Sequence, residues 1–412
     1  LIQLFPSEKV AIEKYFKDVK KVASHFGKNM MLKSAPPFLD SFLNLFESKD
    51  NIQTTKDYMN AHFKDEKLKS LLVSQWGDYG LPPAMSSFGI HALIAEHYMG
   101  GGYYPVGGAG RIAESIEPII SEKGGEFLLS HEVTEILCKD GKAVGFKVKN
   151  LHTREENHTK EFYSPVVISD AGAYNTYMKL IPKSVPISFR SDLEKIMQAQ
   201  PTLSCVTLYI GFSDDPRKLG FKGENYWMYS DYDHDRNFEN RKTWMESGEV
   251  SGLYLSFPSL KDPEAKAHTA EIIAFSDYEP FAKWKDQPWK KRDDDYKKLK
   301  EKISLSLIDY VEKRFPGFKN LIEYTELSTP LSNEYFTGHH NGNIYGLPCV
   351  PERFQKGKAP WCSVRTPRDG LYRVGADASS PGVTGAMMGG MACALMLMDG
   401  INIIRLFAGK GD

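Results

Sequence analysis

Apolar residues in the first hundred positions recur at helical spacing. Ile12, Tyr15, Phe16, Val19, Val22, Ala23 and Phe26 follow a period of about 3.6 with lysines between them, which predicts an amphipathic helix from Ser7 to about Phe26. Residues 34–48 are apolar but interrupted by Pro36 and Pro37, and predict a helix opening at Asp40. Helical spacing continues through 54–83, stopping at Gly80 and the prolines, and again through 86–99. After Gly100 the texture changes. Residues 110–125 predict one helix ended by a glycine pair. Alternating runs flank Lys139-Asp140-Gly141-Lys142, where the Asp-Gly pair predicts a hairpin. A compact strand, Val166–Ser169, breaks at Asp170-Ala171-Gly172, and further strands are predicted at 201–212, 250–257 and 271–275. A helix from about Asp293 has one apolar face, carried by Ile303, Leu307, Ile308, Tyr310 and Val311. No internal repeat or low-complexity tract interrupts these elements.

The longest apolar stretch, 381–407, is broken by Asp399-Gly400, and the part before the break is shorter than the roughly 20 residues a membrane span needs. Its glycines predict a buried helix with a close neighbour. Charge adds little direction. Lys and Arg number 52 against 53 Asp and Glu, so no global charge draws the chain to nucleic acid. The basic run 283–315 is interleaved with aspartates and reads as a solvated helix face. With 412 residues the chain is long enough for two domains. Its five cysteines are scattered, with no C-x-x-C pair, which argues against a zinc site or disulfide scaffold and for a reducing environment. His91 and His97 lie six apart on a predicted helix, a poor metal spacing, and "TGHHNGN" around His339 and His340 reads as a surface loop. No metal site is expected.

Two glycine-rich stretches bear on chemistry. Gly108-Ala109-Gly110-Arg111-Ile112-Ala113 fits the loose form of a dinucleotide fingerprint, but Pro105 sits where the required strand would end. At the other end, a short strand, Leu371–Val374, runs into Gly375-Ala376-Asp377, and Pro381-Gly382 then opens a helix. Glycines at 375, 382 and 385 let backbone come close to a flat or phosphorylated group. The helix N-terminus offers free N–H groups to an anion, or to a ring that gains negative charge on reduction. A flavin fits both demands. Tight strand–helix packing would use the same glycines, and the residues alone leave both readings open.

"FPSEKVAIEKYFKDVKKV", "SQWGDYGLPPAMSSFGIHALIAEHYMGGGYYPVGG", "VVISDAGAYNTY", "TPLSNEYFTGHHNGNIYGL" and "GLYRVGADASSPGVTGAMMGG" together resemble the retinol saturase branch of the phytoene desaturase and carotenoid isomerase group of FAD-dependent oxidoreductases. The likeness runs over nearly the whole chain, and "WGDYGLPP" followed by an apolar helix and "YYPVGG" is its most specific part. In that group the dinucleotide fingerprint lies in a strand–turn–helix at the N-terminus. No such segment precedes Leu1, so the chain is expected to lack the first FAD segment, and 107–113 matches a Y-P-x-G-G element instead.

The resemblance implies an α/β fold with an FAD-binding Rossmann-like domain built from 105–175 and 355–412. It also implies a substrate domain of mixed sheet and helices from 1–104 and 176–354. It places the cofactor against Gly107, Gly108, Val133, Gly172, Gly375, Ala376 and Asp377, and against the turn of Gly382, Val383, Thr384, Gly385 and Ala386. Trp76, Tyr79, Tyr103 and Tyr104 are candidates to line a path for a flat conjugated chain, or are core. No general acid or base stands out, as befits flavin chemistry, in which the protein mainly orients substrate and excludes water.

The expected activity is FAD-dependent reduction of a C=C bond in a retinoid or carotenoid, with NAD(P) as an electron source. Desaturation or isomerisation by the same kind of enzyme, and non-enzymatic escort of prenyl lipids, are the alternatives. A lipophilic polyene substrate implies peripheral membrane contact on a cytoplasmic or endoplasmic reticulum face, for which residues 29–46 are the candidate surface unless they form a buried helix.

Overall fold

The computed structural model describes residues 1–32, 52–152, 159–199, 203–355 and 357–398. The helix expected from Asp40 and nearly all of the 29–46 surface lie outside them. Helix α1 (Lys9–Leu32) buries the predicted stripe of Ile12, Tyr15, Val19, Val22 and Phe26. It packs with α2 (Thr55–His62), α3 (Glu66–Val73) and α4 (Phe88–Met99). The continuous helical spacing of 54–83 resolves into two helices and a single turn at Trp76–Asp78. The break has a local cause. Phe63 is extended, and the Asp65 carboxylate accepts the Leu68 N–H at 3.0 Å, starting α3 afresh. The buried Glu8 carboxylate holds the break by accepting the N–H groups of Lys64 and Asp65, each at 2.8 Å.

Helix α5 (Gly110–Glu122) leads to an antiparallel meander of β1 (His131–Lys139), β2 (Lys142–Asn150) and β3 (Thr159–Tyr163). Asp140 and Gly141 at its first turn have φ of 50° and 79°, the two left-handed residues of a tight hairpin. A short strand, β4 (Val167–Ser169), and helix α6 (Arg190–Ala199) follow. The main sheet comprises β5 (Ser204–Phe212), β6 (Tyr226–Tyr229), β7 (Gly252–Ser256), β8 (His268–Ser276) and β9 (Ile322–Ser328), in the order β6-β7-β8-β5-β9. The mixed sheet implied by the sequence is antiparallel throughout. The β6–β7 connection carries the helical segments His234–Glu239 and Trp244–Ser247 and still brings the chain back antiparallel.

Helix α7 (Asp294–Arg314) covers one face of this sheet with Ile303, Leu307, Ile308 and Val311. Its charged residues pair at the surface, as Lys297 does with Asp294, so the basic run is a solvated face. Helix α8 (Pro330–Thr337) then returns the chain toward β10 (Leu371–Arg373) and the closing helix α9 (Gly382–Leu397). Strand β10 pairs in parallel with β4, register Leu371 to Val167.

The α9 segment differs from the fully buried helix its composition suggests. Gly385, Gly389 and Cys393 form the buried stripe, while Val383 and Met387 remain 57% and 63% exposed. The stripe is glycine because backbone lies against it. A Cβ on Gly389 would come within 2.6 Å of the Gly375 carbonyl oxygen. Gly389→Ala is therefore expected to destabilise by about 1–3 kcal/mol. Gly390→Ala, whose Cβ would meet nothing within 4 Å, should be neutral or stabilising by up to about 1 kcal/mol. Denaturant midpoints of the two variants check the contrast.

His91 joins the helical layer to the rest. Its ring nitrogens lie 2.8 Å from the Tyr15 hydroxyl and 3.1 Å from the Tyr79 hydroxyl. Burial pushes its pKa down to about 4. The unfolded state then binds the proton first, so stability is lost as pH falls from about 6.5 toward 4, by roughly 1.4 kcal/mol per unit. The His91 ring resonance should accordingly show no titration above pH 5 by NMR of histidine-labelled protein.

Candidate active site

Strand β10 delivers the chain into a turn that backbone contacts hold from several sides. The Val374 N–H donates to the Ser169 carbonyl at 3.0 Å, so β4 and β10 end side by side. Gly375 follows at φ 81°, where a Cβ would sit 1.8 Å from the Asp170 carboxylate. Asp377 is buried, and its two oxygens accept the backbone N–H groups of Ala173 and Leu347, both at 2.7 Å. The buried Arg353 guanidinium donates to the carbonyls of Ala376 at 2.7 Å and Ser379 at 3.3 Å. Desolvation at the turn raises the pKa of Asp170, and the neighbouring Asp377 carboxylate adds to the shift.

Beyond the turn, Pro381 caps α9 without a side-chain hydrogen bond, and Gly382 has φ 89° with nothing within 4 Å of a Cβ position. The first-turn N–H groups of this helix have no intrahelical acceptor. An open glycine, an uncapped helix start and exposed Val383 and Thr384 fit the anionic or electron-rich edge of a flavin.

A small cleft at the turn is lined by Gly172, Asp377, Tyr174, His339, His340 and neighbouring backbone. The His339–His340 segment is thus half-buried at this cleft and is no loose surface loop. The His340 ring stacks on Tyr174 with centroids 4.3 Å apart, and burial lowers its pKa. Gly172 therefore meets Asp377, whose carboxylate would lie 3.2 Å from a Cβ at that position. Gly107 and Gly108 do have left-handed φ, 83° and 86°, but the Gly107 N–H donates to Asp262 at 3.0 Å and neither residue lines the cleft. Val133, on β1, pairs with Val148 of β2 and is 37% exposed.

The second feature is a cavity of about 180 Å³ between the Trp76–Asp78 turn and the face of β6–β8. The glycines of W-G-D-Y-G explain its walls. Trp227 lies on Gly77, where a Cβ would be 2.1 Å from the indole, and the Tyr345 ring lies on Gly80, 2.6 Å from a Cβ. Trp76 stacks on Phe275 at 5.1 Å and donates its indole N–H to His234 at 3.0 Å. Among these rings sits Asp78, whose pKa burial raises to about 6, with a partial offset from its hydrogen bond to the Tyr98 hydroxyl.

Of the four aromatic candidates, Trp76 lines this cavity. Tyr79 is wholly buried and committed to His91. Tyr103 is 92% exposed, Tyr104 lies under Lys261, and neither lines the cavity. Sequence reasoning passed over Asp78, although a lone acid between Trp76 and Tyr79 in an apolar motif is itself a signal.

One strip of chain separates cleft from cavity. Ile344 and Tyr345 line the aromatic cavity, while Asn343, Gly346 and Leu347 line the cleft at Asp377.

No family model matches the chain. It is 32% identical to all-trans-retinol 13,14-reductase of Danio rerio, over 97% of this chain and 68% of that protein. It is 26% identical to prolycopene isomerase 2 of an Oncidium hybrid cultivar, over 96% of this chain and 64% of that protein. Among solved structures, an oxidoreductase from Methanosarcina mazei superposes with a TM-score of 0.53 at 18% identity, covering 88% of this chain and 72% of that one.

A parallel strand pair feeding a glycine turn and an uncapped helix, set beside an aromatic cavity, together with these relatives, marks an FAD-dependent oxidoreductase. Within that class, the chain belongs to the family of the all-trans-retinol 13,14-reductases. Replacing the carboxylate that ties the turn should expose its structural share. Asp377→Ala leaves two buried N–H groups without acceptors, at about 1–3 kcal/mol each. Asp377→Asn keeps one acceptor and should lose about half as much, as read from chemical denaturation.

Proposed function

We propose that the protein reduces a C=C bond of a conjugated polyene, with a retinoid as the favoured substrate. The observation that carries this reading is the shared wall. The strip Asn343–Leu347 sets an aromatic cavity against the glycine turn, so a flat apolar chain on one side lies next to a flavin-compatible turn on the other. FAD, when bound, supplies hydride transfer. The chain's own residues do the rest. Trp76, Trp227 and Tyr345 offer ring faces to a conjugated chain and exclude water. The uncapped N–H groups of α9 favour negative charge at the turn.

Two chain segments, 105–175 and 355–412, supply the parallel pair β4 and β10, which supports one discontinuous FAD domain with 1–104 and 176–354 as the substrate domain. Gly107, Gly108 and Val133 remain proposed cofactor contacts, alongside Gly172 and the residues of the 375–386 turn. NAD(P)H is the proposed electron source. No helix of the described residues is long and apolar enough to cross a membrane, and a lipophilic substrate would be taken up by peripheral contact.

The relationship to prolycopene isomerases supports a second reading, isomerisation without net reduction. Product analysis separates the two. Full-length holoprotein, reduced anaerobically and given all-trans-retinol, should yield a product two hydrogens heavier by mass spectrometry. Geometric isomers of unchanged mass would establish the isomerase instead. A folded full-length protein without a flavin absorption spectrum would move the escort reading forward.

A further inference from the structure

The aromatic cavity holds an acid that the protein answers only in part. Asp78 is partly buried in its wall; the Tyr98 hydroxyl bonds its carboxyl, but its Oδ2 is buried without a hydrogen-bond partner. The neighbouring polar side chains are committed. Tyr345 donates to the Gly77 carbonyl, and Tyr229 donates to the Ser74 carbonyl at 2.7 Å. Ser251 donates to the Asn237 carbonyl at 3.0 Å, the Asn237 amide donates to the Asp231 carbonyl at 3.0 Å, and Arg241 pairs with Asp277 at 2.9 Å. A buried carboxylate oxygen without a donor is costly, and a ligand that brings one O–H removes that cost. Rings on the remaining walls suit an apolar, unsaturated body.

We infer that this cavity is the binding site for the hydroxyl end of an isoprenoid alcohol, whose O–H donates to Asp78 Oδ2 while its chain lies among Trp76, Trp227 and Tyr345. The inference rests on the polyene reading above and narrows it. A site built around a hydrogen bond to the ligand discriminates against an analogue that lacks it far more sharply than an apolar pocket does, because the missing group leaves the buried partner unpaired. Asp78 thus selects alcohols over hydrocarbon polyenes of the same length. It is a positioning and specificity residue, and no bond is made or broken at it.

Three tryptophans, Trp76, Trp227 and Trp244, line the cavity and report occupancy through their fluorescence. The test titrates full-length holoprotein with all-trans-retinol and with the hydrocarbon in which a methyl group replaces the hydroxymethyl group. The alcohol should bind at least tenfold more tightly. Asp78→Leu should weaken the alcohol about tenfold or more, leave the hydrocarbon unchanged or tighter, and so erase the preference. Asp78→Asn, which retains an acceptor oxygen, should keep most of it, which separates lost recognition from a damaged fold.

Equal affinities in the wild type, or an unchanged ratio in Asp78→Leu, overturn the inference. If the same holoprotein still reduces retinol, the functional reading survives that failure. If neither polyene binds or reacts, both fall.

Discussion

The Asp377 carboxylate is the tie on which the site depends. Its two oxygens take N–H groups from chain segments far apart in sequence, Ala173 after β4 and Leu347 in the strip behind the aromatic cavity. Asp377 itself belongs to a third segment, the turn after β10. Without it, strand pairing would still align β4 with β10, but the strip would lose its direct bond to the turn. Arg353 reinforces the same junction, donating to the carbonyls of Leu347, Ala376 and Ser379. The junction is made almost wholly of backbone groups gripped by two buried, charged side chains. Charge-assisted hydrogen bonds of this kind are the stronger ones, and they hold geometry closely.

Glycine allows these contacts to be so close. On one side Gly375, Gly385 and Gly389 let α9 settle onto the turn; on the other Gly77 and Gly80 let Trp227 and Tyr345 lie on backbone. The two halves use different chemistry for different tasks. The turn gathers donors for a charged or electron-rich group, while the cavity gathers ring faces for an apolar one. Asp78 is the acid within the cavity, and its burial disfavours the charged form.

Periodicity made most elements legible. The stripe of α1, the face of α7 and the Asp-Gly hairpin all follow from spacing and turn chemistry. Where spacing misled, a local interaction prevailed, as at Asp65, whose cap divides what reads as continuous helix. The glycine turn was legible because its function is written in backbone requirements, which glycine and proline record directly. The cavity was only half legible. Trp76 could be picked from its motif, but Trp227, Tyr254 and Tyr345 reach the same space from three distant segments, and no local pattern signals their convergence. Tyr103 illustrates the converse, an aromatic residue in a specific motif that tertiary structure leaves at the surface.

The strip Asn343–Leu347 constrains how such a protein can diversify. Its residues are divided between two compartments, and its backbone is pinned at Leu203 on one side and Asp377 on the other. A mutation that reshapes the strip therefore disturbs both compartments together. Side chains on β6, β7 and β8 reach the cavity and are absent from the cleft lining, so they are free to vary without moving the turn. Lineages with an unchanged cofactor turn and divergent ligand preferences should carry their differences on those three strands.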